Sequence, residues 1–298
     1  MSGKLLLKDT FRYGILTGVS ASVGFLLLPL LTRAYSAGDF GALDIAITLS
    51  TLMSLLFGIS QPASFARYYQ KNDLTHQRAL MASSLSVTVL FSVLGVLGAA
   101  ILAPFLGPMA FGQTAHSTSF LILTAVTGGI MGLTAVPRMA LRMQRRVLAY
   151  NALDVVYSVA YCVLTIAAIR YKAGIVTVML ANTIATSLRL IIALWLCRDL
   201  LRGKPSRAIL KPCLRYGGPR LPASIFSWTC GKLGRFLVLS LLGLSSVGLY
   251  AAASRIASTV SLLSAMFQLA WTPHAMALVQ KPEELRNSSF FQRTVSAF

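Results

Sequence analysis

Long apolar segments recur along the whole chain, and they constrain its fold more than any other feature of the sequence. A helix needs about 20 mostly apolar residues to cross the hydrocarbon core of a bilayer, and eight segments reach that length. Only 12% of the residues are charged, about half of the fraction in soluble domains. The sequence therefore predicts an all-α polytopic membrane protein with about eight transmembrane helices. The predicted spans are 11–32, 41–66, 81–104, 118–137, 148–169, 174–197, 217–241 and 247–277.

The positive charges are distributed very unequally between the two sides of these spans. If the N-terminus is cytoplasmic, 20 of the 27 Lys and Arg residues lie on the cytoplasmic side, three on the opposite side and four within spans. Such an excess is typical of cytoplasmic loops in membrane proteins. The split predicts a cytoplasmic N-terminus and anionic membrane lipids as partners of the basic loops. It also explains most of the net charge of +19 without nucleic acid, so no nucleic-acid partner is expected.

A weak internal repeat suggests how the spans are organised. Arg12-Tyr13-Gly14 matches Arg215-Tyr216-Gly217 at an offset of 203, and Gly41 matches Gly248 at an offset of 207; coincidence in apolar sequence is the alternative. A repeat of this length predicts one complete lobe of six helices, followed by part of a second parallel lobe. The final residues, "FFQRTVSAF", resemble the start of a ninth span, so the sequence is interpreted as C-terminally truncated. The predicted domains are an N-terminal lobe over 1–198, a basic cytoplasmic linker over 199–215 and a partial second lobe over 216–298.

Four cations lie within spans, where a membrane protein rarely carries them, and a fifth lies at the outer end of a span. An isolated cation at the centre of a bilayer costs at least about 2.5–3.5 kcal/mol, so such residues normally face a bundle interior or a water-filled cavity. Two of them, spaced three residues apart, share one face of a helix. The sequence thus predicts a cationic cavity that binds an anionic ligand. The candidate binding residues are Lys232 and Arg235 in span seven, Arg255 in span eight, Arg189 in span six and Arg33 at the outer end of span one.

Two acids within the spans, Asp44 and Asp154, do not balance these cations. Both are interpreted as structural partners of buried cations, with a role in ion coupling as the less favoured reading. The cations themselves have an alternative interpretation, as structural ion pairs or as side chains that extend to the headgroups.

The sequence offers no sign of catalysis. It contains no phosphate-binding glycine loop, no nucleophile with a nearby base and no paired carboxylates, and its four Cys and three His residues have no metal-ligand spacing. We therefore expect neither an enzyme nor a bound cofactor or metal.

Three segments carry a resemblance to a known family. They are "RYGILTGVSASVGFLLLPLLTRAYSAGDFGALDI", "GRFLVLSLLGLSSVGLYAAASRIAS" and "FQLAWTPHA". In this order they are similar to the first two helices, the passage from the seventh to the eighth helix and the end of the eighth helix of the polysaccharide flippases of the MOP superfamily, of the Wzx or O-antigen translocase type. Gly234 stands where the family often has an acid, which makes the region more cationic and leaves ion coupling by a carboxylate there in doubt.

The resemblance implies a MATE-like fold and a function in lipopolysaccharide or other polysaccharide biosynthesis. Such a protein would move an undecaprenyl-diphosphate-linked oligosaccharide across the bacterial inner membrane by alternating access, for O-antigen, capsule or exopolysaccharide. A polysaccharide polymerase and glycosyltransferases would be its protein partners. Three alternatives remain open: a MATE-type multidrug or cation antiporter, a non-transporting membrane scaffold for glycosyltransferases, and a non-functional remnant.

Overall fold

The computed structural model describes residues 27–70, 73–111 and 117–279, with side chains described through residue 257 apart from Val147. All regular secondary structure in these ranges is α-helical. The start of the first predicted span, the tripeptide Arg12-Tyr13-Gly14 and the chain from residue 280 onward lie outside the described residues. The helices are α1, described over 27–34, α2 (Ala37–Gly58), α3 (Gln61–Tyr68), α4 (Leu74–Phe111), α5 (Ser117–Met143), α6 (Val147–Arg170), α7 (Ile175–Leu196) and α8 (Arg207–Val279).

Six of these helices are long and apolar enough to cross a membrane. They are α2, α4, α5, α6, α7 and α8, and the segment in α8, Arg207–Ala257, is 51 residues long. Several large apolar side chains on α4 point away from the protein, with Ile101 and Phe105 each 74% exposed. Lipid is the environment in which such side chains are stable. The predicted polytopic all-α class is therefore confirmed.

The predicted span 41–66 is not one continuous helix. Helix α2 ends at Gly58, and Ile59 and Ser60 adopt the left-handed conformation, with φ of 42° and 51°. Pro62 lies in the first turn of α3, a position that proline tolerates because the backbone N–H groups there have no partner within the helix. The predicted single span 41–66 is thus two helices, α2 and α3.

Helix α4 is longer than span three, and the predicted end of that span at residue 104 is wrong. The helix continues through Pro104 and Pro108 to Phe111. Proline removes a backbone donor, but helices in membranes tolerate it when neighbouring groups satisfy the freed carbonyls. Helix α4 packs closely on α5 over much of its length, which provides a rigid neighbour for this end.

Spans seven and eight are separated by a single residue. Gly243 is the only non-helical residue within α8, with φ of 78° and ψ of 179°, a conformation that side-chain-bearing residues avoid. Tyr250, beyond this break, lies beside Gly234 and Arg235, before it. The chain therefore folds back at Gly243, and the two parts of α8, 207–242 and 244–279, pack side by side. The predicted separation of the two spans is confirmed.

Short connections bring the basic loops together at one end of the bundle, which we call the basic end. Arg78 donates from Nε to the carbonyl oxygen of Asp199 (2.9 Å), and Arg146 donates to the carbonyl oxygen of Leu196 (2.9 Å). These contacts join the loops before α4, α6 and α8. The opposite end carries Gly243 and the loops α1–α2, α4–α5 and α6–α7. This arrangement fits the alternation of the predicted loops; that the basic end is cytoplasmic stays a prediction.

A layer rich in buried polar side chains lies between two apolar clusters. One cluster, at the opposite end, includes Phe40, Phe111 and Met179, and the other, towards the basic end, includes Phe65 and Leu141. Many of the hydroxyls between them donate to the carbonyl oxygen four residues earlier in the same helix, which satisfies them without breaking the backbone ladder. Examples are Ser50, Thr88, Thr124 and Thr186. The middle of the bundle can therefore accommodate charged groups.

Candidate functional site

Helix α2 and the first part of α8 run antiparallel along their whole length, and we call this contact the α2–α8 interface. Near the basic end, Ser64 on α3 donates to the carbonyl oxygen of Cys213 (2.9 Å). In the middle, Trp228 donates from Nε1 to Thr51 Oγ1 (2.7 Å). These contacts place the first part of α8 within hydrogen-bond reach of α3 near the basic end and of α2 at the centre of the bundle.

The α2–α8 interface contains a buried ion pair. Arg235 Nε lies 2.7 Å from Asp44 Oδ2, and the two side chains are only 16% and 8% exposed. The guanidinium of Arg235 also lies 6.0 Å from the ring centroid of Tyr250. The pair is shielded from solvent on both sides, so its attraction is stronger than that of a surface pair. Asp44 thus pairs with one of the predicted ligand-binding cations.

Lys232 lies one turn before Arg235 and is half-buried. Within the described ranges, no carboxylate lies within ion-pair distance of its ammonium group. The negative charge of Asp44 therefore attracts both Lys232 and Arg235, but Asp44 forms an ion pair only with Arg235. This part of the interface carries a net positive charge that a negatively charged ligand could neutralise.

Gly234 explains how Tyr250 approaches Arg235. A Cβ atom at position 234 would lie 2.8 Å from the hydroxyl oxygen of Tyr250, closer than two such atoms can pack. An acidic side chain here, as in the family that the sequence resembles, would require Tyr250 to move. Glycine at position 234 therefore leaves room for the ring of Tyr250 beside Arg235, and it adds no second carboxylate to the site.

Asp154 holds a second cluster between α5, α6 and α7. Its Oδ2 accepts a 2.6 Å bond from Arg138, and its Oδ1 lies 3.5 Å from Arg189 Nη1. The Arg189 guanidinium also lies 4.7 Å from the ring centroid of Tyr157, whose hydroxyl donates to Asn182 Oδ1 (2.8 Å). Two guanidiniums thus share one carboxylate, and the cluster carries a net positive charge.

The structure brings some of the predicted site residues together and separates others. Arg255, on the second part of α8, lies 4.8 Å from the ring centroid of Phe40, which is one helical turn before Asp44 on α2. Arg189 belongs to the separate cluster around Asp154, and Arg33 is exposed at the opposite end of the bundle. Of the five predicted cations, Lys232 and Arg235 are thus neighbours on one helix beside Asp44, and the other three have different surroundings. Their roles in ligand binding stay predictions.

Sequence reasoning missed several residues of these clusters. Arg138 lies one residue beyond the predicted span 118–137, yet it bonds to Asp154 inside the bundle. Trp228 and Thr51 join the two sides of the α2–α8 interface although 177 residues separate them. No spacing pattern relates residues on different helices, so the sequence contained no signal for these pairs.

Gly41 and Gly248, which are matched in the internal repeat, each pack against the helix that carries the other. A Cβ atom on Gly41 would clash with the carbonyl oxygen of Leu244, and one on Gly248 would clash with the carbonyl oxygen of Ala37. Ala37 and Leu244 are related by the same offset as the two glycines, so the contact is reciprocal. A two-fold relation between α2 and the second part of α8 produces this pattern. The domain boundaries predicted from the repeat stay predictions.

Two cavities lie beside the α2–α8 interface. One, an open cavity of about 460 Å³ on the surface of α8 near the basic end, is lined by residues of that helix alone, among them Arg220 and Trp228. The other, of about 650 Å³, lies at the opposite end and includes Tyr35 and Asp39. Tyr35 donates its hydroxyl to the carbonyl oxygen of Ala173 (2.9 Å). Burial, with a smaller effect from Asp39, raises the pKa of Tyr35, so this phenol stays a neutral donor at physiological pH.

Asp154→Ala tests whether the second cluster stabilises the lobe. The change leaves Arg138 and Arg189 without their shared partner, and removing one member of a buried ion pair costs about 3–5 kcal/mol. Asp154 is 33% exposed, so we expect a loss at the lower end of that range, seen as a lower midpoint of thermal unfolding in detergent. Asp199→Ala, at an exposed acid, is the control. Equal midpoints for the two variants would show that the cluster contributes no stability.

Comparison with known proteins places this geometry in context. A family model described as "Polysaccharide biosynthesis protein" matches residues 6–277, and no curated protein matches the sequence. The fold is similar to the MATE multidrug transporter DinF-BH, with a TM-score of 0.69 and 16% identity over 91% of this chain and 64% of that one. It is also similar to an inward-facing MATE family transporter of the MOP superfamily, with a TM-score of 0.59 and 19% identity over 90% and 64%. The chain thus spans 64% of the length of each transporter.

Proposed function

The chain belongs to the polysaccharide biosynthesis protein family, and we propose that it moves an undecaprenyl-diphosphate-linked oligosaccharide across the bacterial inner membrane. The transported repeat unit would serve O-antigen, capsule or exopolysaccharide synthesis. Lys232, Arg235 and Arg255 would bind the diphosphate and any acidic sugars, while the lipid tail stays in the bilayer. A polysaccharide polymerase and glycosyltransferases are the proposed protein partners.

The excess of cations at the α2–α8 interface is the observation that carries this proposal. Lys232 and Arg235 share one buried carboxylate there, that of Asp44. A guanidinium offers paired donors to phosphate oxygens, and an ammonium offers a compact charge. A diphosphate could bind Lys232 directly and compete with Asp44 for Arg235. Such competition would weaken the α2–α8 interface. Ligand binding would therefore favour the lobe movement of alternating access.

The MATE-type antiporter remains the second candidate because of the fold similarity. A site for organic cations should be rich in carboxylates and aromatic rings. Here the two ion-pair clusters contain more cations than acids, which would repel such a substrate. The charge balance therefore favours an anionic substrate.

Reconstituted vesicles distinguish the two candidates. The purified full chain is inserted into liposomes that contain a fluorescent undecaprenyl-diphosphate-linked sugar, and a membrane-impermeant quencher reports transfer between leaflets. We expect transfer above that of protein-free liposomes and no uptake of ethidium, an organic cation, under a proton gradient. Ethidium uptake without lipid transfer would support the antiporter and overturn the proposal.

A further inference from the structure

The cavity of about 460 Å³ near the basic end has the composition of a carbohydrate site. Its lining includes one indole ring, one guanidinium and two hydroxyls, from Trp228, Arg220, Ser224 and Ser227. Ligand sites of this size combine aromatic surface with a few polar groups, and here these groups lie side by side around an open cavity on one helix. Sugars match that combination, because one face of a pyranose ring carries C–H groups while its edge carries hydroxyls.

The cavity lies on the same helix face as the proposed diphosphate site. Arg220, Ser224, Trp228 and Lys232 follow one another at intervals of four residues, which makes each the neighbour of the next along one inclined row of α8. Trp228 precedes Lys232 by one turn, a distance of about 6 Å along the axis. In a lipid-linked oligosaccharide the first sugar is bonded directly to the diphosphate. A diphosphate at Lys232 and Arg235 therefore brings the first sugar next to Trp228.

The indole ring of Trp228 is held in place before any ligand arrives. Its Nε1 donates to Thr51 Oγ1 (2.7 Å), and its ring centroid lies 5.8 Å from that of Phe236. The side chain is nevertheless only half-buried and still lines the cavity. A ring fixed in this way binds a flat apolar surface without losing rotamer freedom, which increases affinity.

We propose that this cavity is a subsite for the sugar attached to the diphosphate. Trp228 packs against the C–H face of the ring, and Ser224, Ser227 and Arg220 form hydrogen bonds with its hydroxyls. The inference rests on the proposed function, because it places the sugar relative to the diphosphate at Lys232. It adds a residue that recognises carbohydrate to a site otherwise specific for charge.

Two soluble probes separate the sugar subsite from the diphosphate site. The purified full chain is titrated with farnesyl diphosphate and with farnesyl diphosphate that carries one hexose. We expect the wild type to bind the sugar-bearing probe about tenfold more tightly. Trp228→Leu should remove this preference, and Trp228→Phe, which keeps an aromatic ring, should retain part of it. Lys232→Ala should weaken both probes, and Phe226→Leu, at an exposed position of the same helix, should change neither.

The outcomes distinguish failure of the subsite from failure of the proposed function. If the wild type binds both probes equally, or if Trp228→Leu keeps the tenfold preference, the subsite is overturned, and weaker binding of both probes by Lys232→Ala still supports the diphosphate site. If Trp228→Leu and Trp228→Phe weaken both probes to the same degree, Trp228 has a structural role only, and the subsite is again overturned. If neither probe binds the wild type, the proposed function fails and the subsite fails with it.

Discussion

Replacing both Lys232 and Arg235 with alanine is expected to abolish assembly of surface polysaccharide while the protein still inserts into the membrane. A hydrogen bond to a charged group contributes about 1.5–3 kcal/mol. Loss of two such groups should reduce binding of the diphosphate by more than about 100-fold. The measurement is the amount of polysaccharide on cells that depend on this chain for export, normalised to the amount of protein in the membrane.

The ion pair between Arg235 and Asp44 makes a third substitution necessary in this test. Removing Arg235 alone leaves a buried carboxylate without its partner, which destabilises a protein independently of any ligand. The informative comparison therefore adds Asp44→Ala, so that both members of the pair are removed together. Lys204→Ala, at an exposed cation of the linker, is the matched control and should leave export unchanged. Normal polysaccharide export in a stably inserted triple variant would contradict the proposed diphosphate site.

Gly248→Leu should have a comparably large effect through packing alone. Any side chain at this position clashes with the backbone carbonyl of Ala37, and a backbone atom cannot move aside as a flexible side chain can. Overpacking of this kind typically costs about 1–3 kcal/mol, and we expect the upper end of that range. The variant should show a lower midpoint of thermal unfolding in detergent and little export of polysaccharide.

Gly218→Leu is the control for the glycine substitution. It lies on the same helix, and a Cβ atom there has no neighbour within 4 Å. Its thermal midpoint and export should stay close to those of the wild type. If Gly248→Leu matched Gly218→Leu in both measurements, the close contact between α2 and the second part of α8 would have no importance for the fold.

Periodic and compositional features of the sequence predicted much of the fold. Apolar length located the spans, and the alternation of basic loops gave their order across the bundle. The offset between Gly41 and Gly248 indicated a repeat, and the structure shows these two residues at one reciprocal contact. Each of these features depends on composition or on a regular spacing, so a single sequence can reveal it.

Partners on different helices could not be predicted in the same way. Asp44 and Arg235 are 191 residues apart, and Asp154 binds Arg138 and Arg189 on two different helices. The sequence identified both acids as structural partners for buried cations but gave no basis for pairing them. The continuation of α4 through Pro104 also escaped prediction, because proline interrupts helices in water more often than in membranes.

Binding of farnesyl diphosphate to the purified full chain tests the central claim most directly, since it isolates the proposed recognition of the diphosphate from sugar and from transport. Farnesol, which has the same tail without the charges, measures the contribution of the lipid alone. The account predicts that the wild type prefers farnesyl diphosphate to farnesol and that Lys232→Ala weakens the diphosphate at least about tenfold, as the loss of one charged contact implies. Equal affinity of the wild type and Lys232→Ala for farnesyl diphosphate would contradict it.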